Sequence, residues 1–152
     1  MRAVIQRVGR AKVSVSGETT GEIGLGLLIL LGVAPGDDDS IAQEMVDKIA
    51  NLRIFPDAAE KMNLSLLEVQ GAALVVSQFT LFADCTRGRR PYFGDAAEPR
   101  RAEELCGVFK HMLRDQGVSV ESGRFGAMMD VELLNHGPVT IILDSQDLKR
   151  KR

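Results

Sequence analysis

The sequence predicts a single α+β domain with mixed and antiparallel β-sheets and two main helices. Strand-like and helix-like periodicities follow the order strand, strand, helix, strand, helix and three further strands, which favours hairpins as well as crossovers over a doubly wound sheet. No GxGxxG opens a helix and no GxxxxGK[ST] occurs, so nucleotide-binding α/β layouts have no support. A chain of 152 residues, 45% of them hydrophobic, can build one core without disulfides or structural metal.

Residues 2 to 16 alternate, with Ala3, Ile5, Ala11, Val13 and Val15 apolar and a break near Gly9, the pattern of a half-buried strand. Gly17 to Gly21 reads as a turn, and the continuous Leu- and Ile-rich run from Gly24 to Val33 as the returning strand, buried on both faces. Gly24-Leu25-Gly26 is explained by strand packing. Pro35-Gly36 leads into Asp37, Asp38 and Asp39, carboxylates suited to a helix start, and Ile41, Met45, Ile49 and Leu52 then recur at helical spacing. Pro56 stops that helix, and a polar linker follows. Ala72 to Phe82 reads as one strand interrupted by Ser77, Gln78 and Thr80. Leu105, Phe109, Met112 and Leu113 mark an amphipathic helix between about Glu98 and Gln116. Val118 to Glu121, Met128 to Leu134 and Val139 to Leu143 read as three closing strands. No internal repeat, low-complexity segment or interdomain linker is present.

A formal charge of −2 argues against bulk electrostatic capture of nucleic acid, so any such contact must be local. Basic residues cluster in the TRGRR run, with Arg87, Arg89 and Arg90, and at Lys149 to Arg152. Either cluster can be a solvated face or a phosphate contact. Cys85 and Cys106 form no CxxC pair, and the two histidines have no metal-ligand spacing, so neither a disulfide framework nor a metal site is signalled. The longest apolar stretch, Leu25 to Ala34, is about half the ~20 residues of a membrane-spanning helix. The chain therefore reads as cytoplasmic, with no membrane association and no cofactor.

Neither histidine is a persuasive catalytic base: His111 lies on the amphipathic helix and His136 in the segment Asn135-His136-Gly137-Pro138. Two segments break the local rules. Ser77-Gln78-Phe79-Thr80 puts polar groups into an apolar strand, where they either satisfy backbone neighbours or mark a site. Asn135, Gly137, Pro138 and Thr140 precede a short strand, where a hairpin turn is the ordinary explanation and cis geometry occurs in only about 5–6% of X-Pro bonds.

Taken with MRAVIQRV, GEIGLGLLILLGV, KMNLS, VVSQFTLFAD, TRGRRPYF and NHGPVTI, these two segments make the chain resemble the D-aminoacyl-tRNA deacylase family over about residues 1 to 145. SQFT and NxGPxT in that order form the specific signature. The resemblance implies a barrel-like core and a homodimer with active sites at the subunit interface. It further implies hydrolysis of the ester joining a D-amino acid to the 3′-terminal adenosine of tRNA. Gln78, Phe79 and Thr80 would be catalytic, with main-chain N–H groups near Gln78 and Phe79 stabilising the oxyanion. Ser77, Met129, Gly137 and Pro138 would bind substrate, and Arg7, Asn135 and Thr140 would support the Gly-Pro loop. A cis Gly137-Pro138 from the partner subunit would reject an L side chain while leaving glycyl-tRNA partly accepted.

Lacking a base, hydrolysis would be assisted by the substrate's own ribose 2′-hydroxyl, with Thr80 as an acyl-forming nucleophile in the competing mechanism. Met128 stands where the family usually has an acidic residue, and His136 where Asp is frequent. The tail from Gln146 to Arg152 is expected to be disordered. Two other readings remain: a non-catalytic nucleic-acid-binding dimer of the same fold, and an esterase or amidase acting on small molecules.

Overall fold

The computed structural model describes residues 1–149. Strand β1 (Arg2–Val15) is the spine. Along one edge it pairs antiparallel with β3 (Gly26–Gly32) through residues 2 to 8 and with β2 (Glu18–Ile23) through residues 11 to 15. Strand β3 continues into a parallel pair with β6 (Ala72–Ser77), which pairs in parallel with β7 (Ser119–Ser122). Strand β2 then curls back until Gly21 lies against the backbone of Ser122, where a Cβ would sit 2.6 Å from the carbonyl oxygen. Glycine at this point lets the sheet nearly close into a barrel. Strand β8 (Asp130–Asp144) runs antiparallel along the other edge of β1.

Strands β3 and β6 are buried on both faces, as the unbroken apolar runs predict. Leu28, Leu74 and Val76 point into the barrel with Val8, Ala11, Val13 and Ile23. Leu27, Ile29, Leu31, Ala73 and Val75 face a larger cluster completed by α1 (Asp39–Asn51) and α2 (Pro99–Asp115). Met45, Ile49, Leu105, Phe109 and Leu113 are fully buried there, each such side chain contributing roughly 1.5–3 kcal/mol. Gly26 allows the β3–β6 approach, since a Cβ would overlap the Ala72 carbonyl.

Several elements depart from the sequence reading. Glu18–Ile23, expected to be mostly turn, is a strand. Of the three aspartates before α1, Asp38 is the cap, its Oδ1 accepting from the Ile41 N–H at 2.9 Å. Asp37 is buried instead, accepting from the Met1 ammonium at 2.7 Å and from the Ala34 N–H at 2.7 Å. The linker after Pro56 is a small hairpin of β4 (Phe55–Pro56) and β5 (Met62–Leu64), organised by Asp57, which accepts from the N–H groups of Ala59 and Lys61. The strand expected over Ala72 to Phe82 ends at Ser77, and Phe79–Phe82 form one turn of 3₁₀ helix. The last two expected strands are one, β8, with irregular register opposite Arg7 and Gly9. Gln146 to Leu148, placed by the sequence in a disordered tail, belong to the short helix α3 (Ser145–Leu148), where Asp144 caps the Gln146 N–H. Of the basic tail, Arg150, Lys151 and Arg152 lie outside the described residues.

Candidate active site: an apolar cleft and a braced Gly-Pro loop

A cleft of about 770 Å³ opens beyond the carboxyl ends of the parallel strands β3 and β6, the place where a parallel pair leaves space for a ligand. Its near wall is Ser77, Gln78, Phe79 and Thr80. Its far wall is Ala96 and Ala97, just before α2, with Ala102 and Cys106 within it, and Phe125 to Met129 form a lip. Met129, assigned to substrate binding by resemblance, lines the cleft, as does Met128, which is 90% exposed.

The chain turns sharply after Ser77 because Gly32, at the end of β3, offers no side chain. A Cβ there would lie 3.0 Å from the Phe82 ring and 3.1 Å from the Gln78 carbonyl. The 3₁₀ turn settles into that space. The Gln78 N–H donates to the Leu31 carbonyl at 2.8 Å, continuing the β3–β6 ladder. It is therefore committed, which corrects its expected part as an oxyanion donor. The N–H groups of Phe79 and Thr80 begin the turn and have no acceptor among the described residues, as the first donors of a helical turn lack one within the helix. The Gln78 side-chain amide donates to the Thr80 hydroxyl oxygen. Phe79, 57% exposed, meets Phe93 edge-on with centroids 5.1 Å apart.

Cys106 is the sole titratable side chain among the residues lining the cleft. Burial pushes its thiol up to about 11, the opposing pull of Lys110 being smaller, so at neutral pH it is protonated and unreactive. Iodoacetamide at pH 8 is expected to alkylate exposed Cys85 and spare Cys106 in the folded protein, read by peptide mass analysis. Equal labelling of both would show a cleft far more open than this one.

The second group of expected residues lies elsewhere. The Gly137-Pro138 peptide is cis, and both residues are exposed within β8. Asn135 spans the irregularity: its Oδ1 accepts from the Val139 N–H at 2.8 Å, and its Nδ2 donates to the Val139 carbonyl at 3.2 Å and to the Thr140 hydroxyl at 3.1 Å. A side chain thus stands in for the missing ladder, which explains why a strand continues where the sequence suggested a turn. Arg7, 7% exposed, donates through Nε to the His136 carbonyl and through Nη1 to the Ile54 carbonyl, both at 2.7 Å. Neither Gly137 nor Pro138, nor any of Arg7, Asn135 and Thr140, lines the cleft of its own chain. The sequence grouped ten residues as one site, and a single chain divides them into two.

Downstream of the cleft, Asp84 and Tyr92 exchange backbone hydrogen bonds at 2.7 and 2.9 Å and close the TRGRR loop. Hydrogen bonds from Thr86 hold the Asp84 carboxyl below its ordinary range. Arg87, Arg89 and Arg90 are exposed, and among the described residues none pairs with a carboxylate. Sequence reasoning missed Phe93 and the small-residue wall of Ala96, Ala97 and Ala102. No cluster of three potential metal ligands occurs among the described residues, and no helix is long and apolar enough to cross a membrane.

Residues 4–144 match the family model described as D-Tyr-tRNA(Tyr) deacylase. The chain is 58% identical over 147 residues to a D-aminoacyl-tRNA deacylase of Dehalococcoides mccartyi, covering 97% of this chain and 96% of that protein. It is likewise 58% identical over 146 residues to one of Bacillus licheniformis, covering 96% and 99%. Among solved structures it resembles one titled c-Myc DNA Unwinding Element Binding Protein, with a TM-score of 0.88, 40% identity and coverage of 95% and 98%. A probable eukaryotic D-amino acid tRNA deacylase shares the fold at 18% identity, with a TM-score of 0.83 and coverage of 93% and 97%.

Proposed function

The chain belongs to the D-Tyr-tRNA(Tyr) deacylase family, and from that premise we propose how its cleft and its Gly-Pro loop divide the work of hydrolysing D-aminoacyl-tRNA. The carrying observation is an apolar cleft with two unpaired main-chain donors, at Phe79 and Thr80, and no ionised side chain. Such a site cannot supply a side-chain base, but it can polarise a carbonyl: one oxyanion donor is worth ~2.7–4 kcal/mol in hydrolases. An aminoacyl ester is already activated, and the ribose 2′-hydroxyl beside it can orient or activate water. Thr80 then lines the ester, its hydroxyl oxygen occupied by the Gln78 amide. Ser77 and Gln78 fix the terminal adenosine, and the unpaired arginines of TRGRR meet nearby phosphates, so that binding weakens with salt.

Chirality is set in a homodimer, with the exposed Gly137-Pro138 of the partner subunit placed over this cleft. Exposure of the loop, its bracing by Arg7 and Asn135, and its absence from the cleft of its own chain support that arrangement. Backbone atoms so placed collide with an L side chain and leave a D side chain free, and glycine, with nothing to reject, is partly accepted.

The test is ester loss from D-tyrosyl-tRNA and L-tyrosyl-tRNA with pure protein. Release from the D form alone is expected; equal release from both removes the filter. Thr80→Ala is expected to retain the rate within about threefold, since no base stands by to activate that hydroxyl. Complete loss with an intact fold would instead make Thr80 the nucleophile. The 40%-identical neighbour's title names DNA binding, so a second reading is a non-catalytic nucleic-acid-binding dimer. No release from either tRNA, together with retention on single-stranded DNA, would favour it.

A further inference from the structure

The 3₁₀ turn that presents the Phe79 and Thr80 N–H groups has one side on Gly32 and the other on Arg2. The Arg2 guanidinium makes three kinds of contact. Its Nη1 donates to the Leu81 carbonyl at 2.7 Å. Its Nε and Nη2 both reach Asp144 Oδ2 at 2.9 Å. Its Cζ lies 4.8 Å from the centroid of the Phe82 ring. Two successive residues of the turn are thus held by one side chain, whose backbone is itself fixed in β1 opposite both Gly32 and Asp144.

We propose that Arg2 is a positioning residue for the deacylation reaction: it locks the turn in the orientation that aims the Phe79 and Thr80 N–H groups into the cleft. This proposal rests on the reading of those two groups as oxyanion donors. A planar guanidinium suits the role because its fork binds a carboxylate on one edge, a carbonyl on another and an aromatic face, whereas an ammonium is a single compact charge. Asp144 keeps the fork in place. Burial alone would raise its carboxyl, but hydrogen bonds from the Gln146 N–H and Arg2, with the Arg2 charge, outweigh that and hold it below the ordinary carboxylate range. The anchor stays ionised under assay conditions. The backbone bonds that enter and leave the turn are Leu81 N–H to the Gln78 carbonyl at 3.3 Å and Ala83 N–H to the Thr80 carbonyl at 3.1 Å. A single 3₁₀ turn is short, and an outside brace fixes its orientation to the tolerance that catalysis requires.

Arg2→Met and Arg2→Lys test this with two readouts. In single turnovers on D-tyrosyl-tRNA, Arg2→Met is expected to lose about tenfold or more in rate per folded molecule with KM little changed, because the lost interaction acts in the transition state. Arg2→Lys, which keeps the Asp144 pair but not the fork, is expected to recover only part of the loss. In the free protein, the Leu81 and Ala83 amides of Arg2→Met are expected to exchange about tenfold faster, while Met45 and Ile49 in α1 stay protected. A rate loss that merely follows the unfolded fraction, or turn amides as protected as in wild type, would overturn the proposal. Should wild-type protein release no D-amino acid at all, the functional reading fails, and the exchange experiment still decides whether Arg2 holds the turn.

Discussion

Arg7→Met is expected to lower the free energy of unfolding by about 3 kcal/mol and to let L-tyrosyl-tRNA be hydrolysed. The stability estimate starts from the two carbonyls, Ile54 and His136, that each accept from the guanidinium at 2.7 Å. Hydrogen bonds to charged groups are worth about 1.5–3 kcal/mol each, and two buried acceptors would be left unmet. Part of this is returned because a nearly buried charge no longer has to be desolvated. The functional effect follows from what the two carbonyls belong to: one opens the Gly-Pro loop, the other follows α1 and leads into the β4–β5 hairpin. Without the bridge the loop can shift, and the proposed filter of backbone atoms would lose its edge. Arg7→Lys reaches one carbonyl and is expected to fall between. Urea denaturation gives the first quantity, and the ratio of D to L hydrolysis rates, expected to fall at least about tenfold, gives the second. An unchanged ratio in a destabilised protein would leave Arg7 purely structural.

Ile142→Arg is expected to give a folded monomer whose deacylation rate is at least about a hundredfold lower, provided two chains complete each site. Among the described residues strand β8 pairs on one edge only, and its residues outside both core clusters include Ile142, 73% exposed, and Leu134, 48% exposed. A long strand with one open edge and large apolar side chains is a surface that soluble proteins normally cover. Arginine at position 142 removes little packing within the chain, so the thermal midpoint of the monomer should stay close to that of wild type, but it opposes burial between subunits. Sedimentation gives the mass and tRNA hydrolysis the activity. A wild-type protein that sediments as a monomer while deacylating at full rate would end the shared-site scheme.

The sequence revealed what depends on periodicity and missed what depends on three-dimensional neighbours. Strands β3 and β6 were legible because runs buried on two faces carry no polar alternation. Helices α1 and α2 were legible through their apolar stripes, and α1 also through Pro35 and Pro56 on either side of it. The 3₁₀ turn was not, because Phe79-Thr80-Leu81-Phe82 continues an apolar run, and only the missing side chain of Gly32, 47 positions earlier, makes room for the bend. Strand β8 looked like two strands because Asn135 supplies through its side chain the hydrogen bonds that keep it one. Asp37 looked like a cap, yet it accepts from the Met1 ammonium, a partner no local rule could supply. For the site, motif resemblance named Ser77 to Thr80 and Met129, which line the cleft. It could not reveal that Gly137 and Pro138 stand apart from them within one chain.

The proposed use of main-chain N–H groups as the cleft's polar tools has a consequence for how its residues can be ranked by mutagenesis. Alanine scanning leaves every peptide amide in place, so the groups at Phe79 and Thr80 would pass such a survey untouched while bulky neighbours dominated the results. Replacing the Phe79 peptide amide by an ester, through semisynthesis with the corresponding hydroxy acid, deletes that donor and weakens the Gln78 carbonyl that accepts from Leu81, while every side chain stays in place. That single-atom exchange reaches a part of the molecule to which the genetic code has no access.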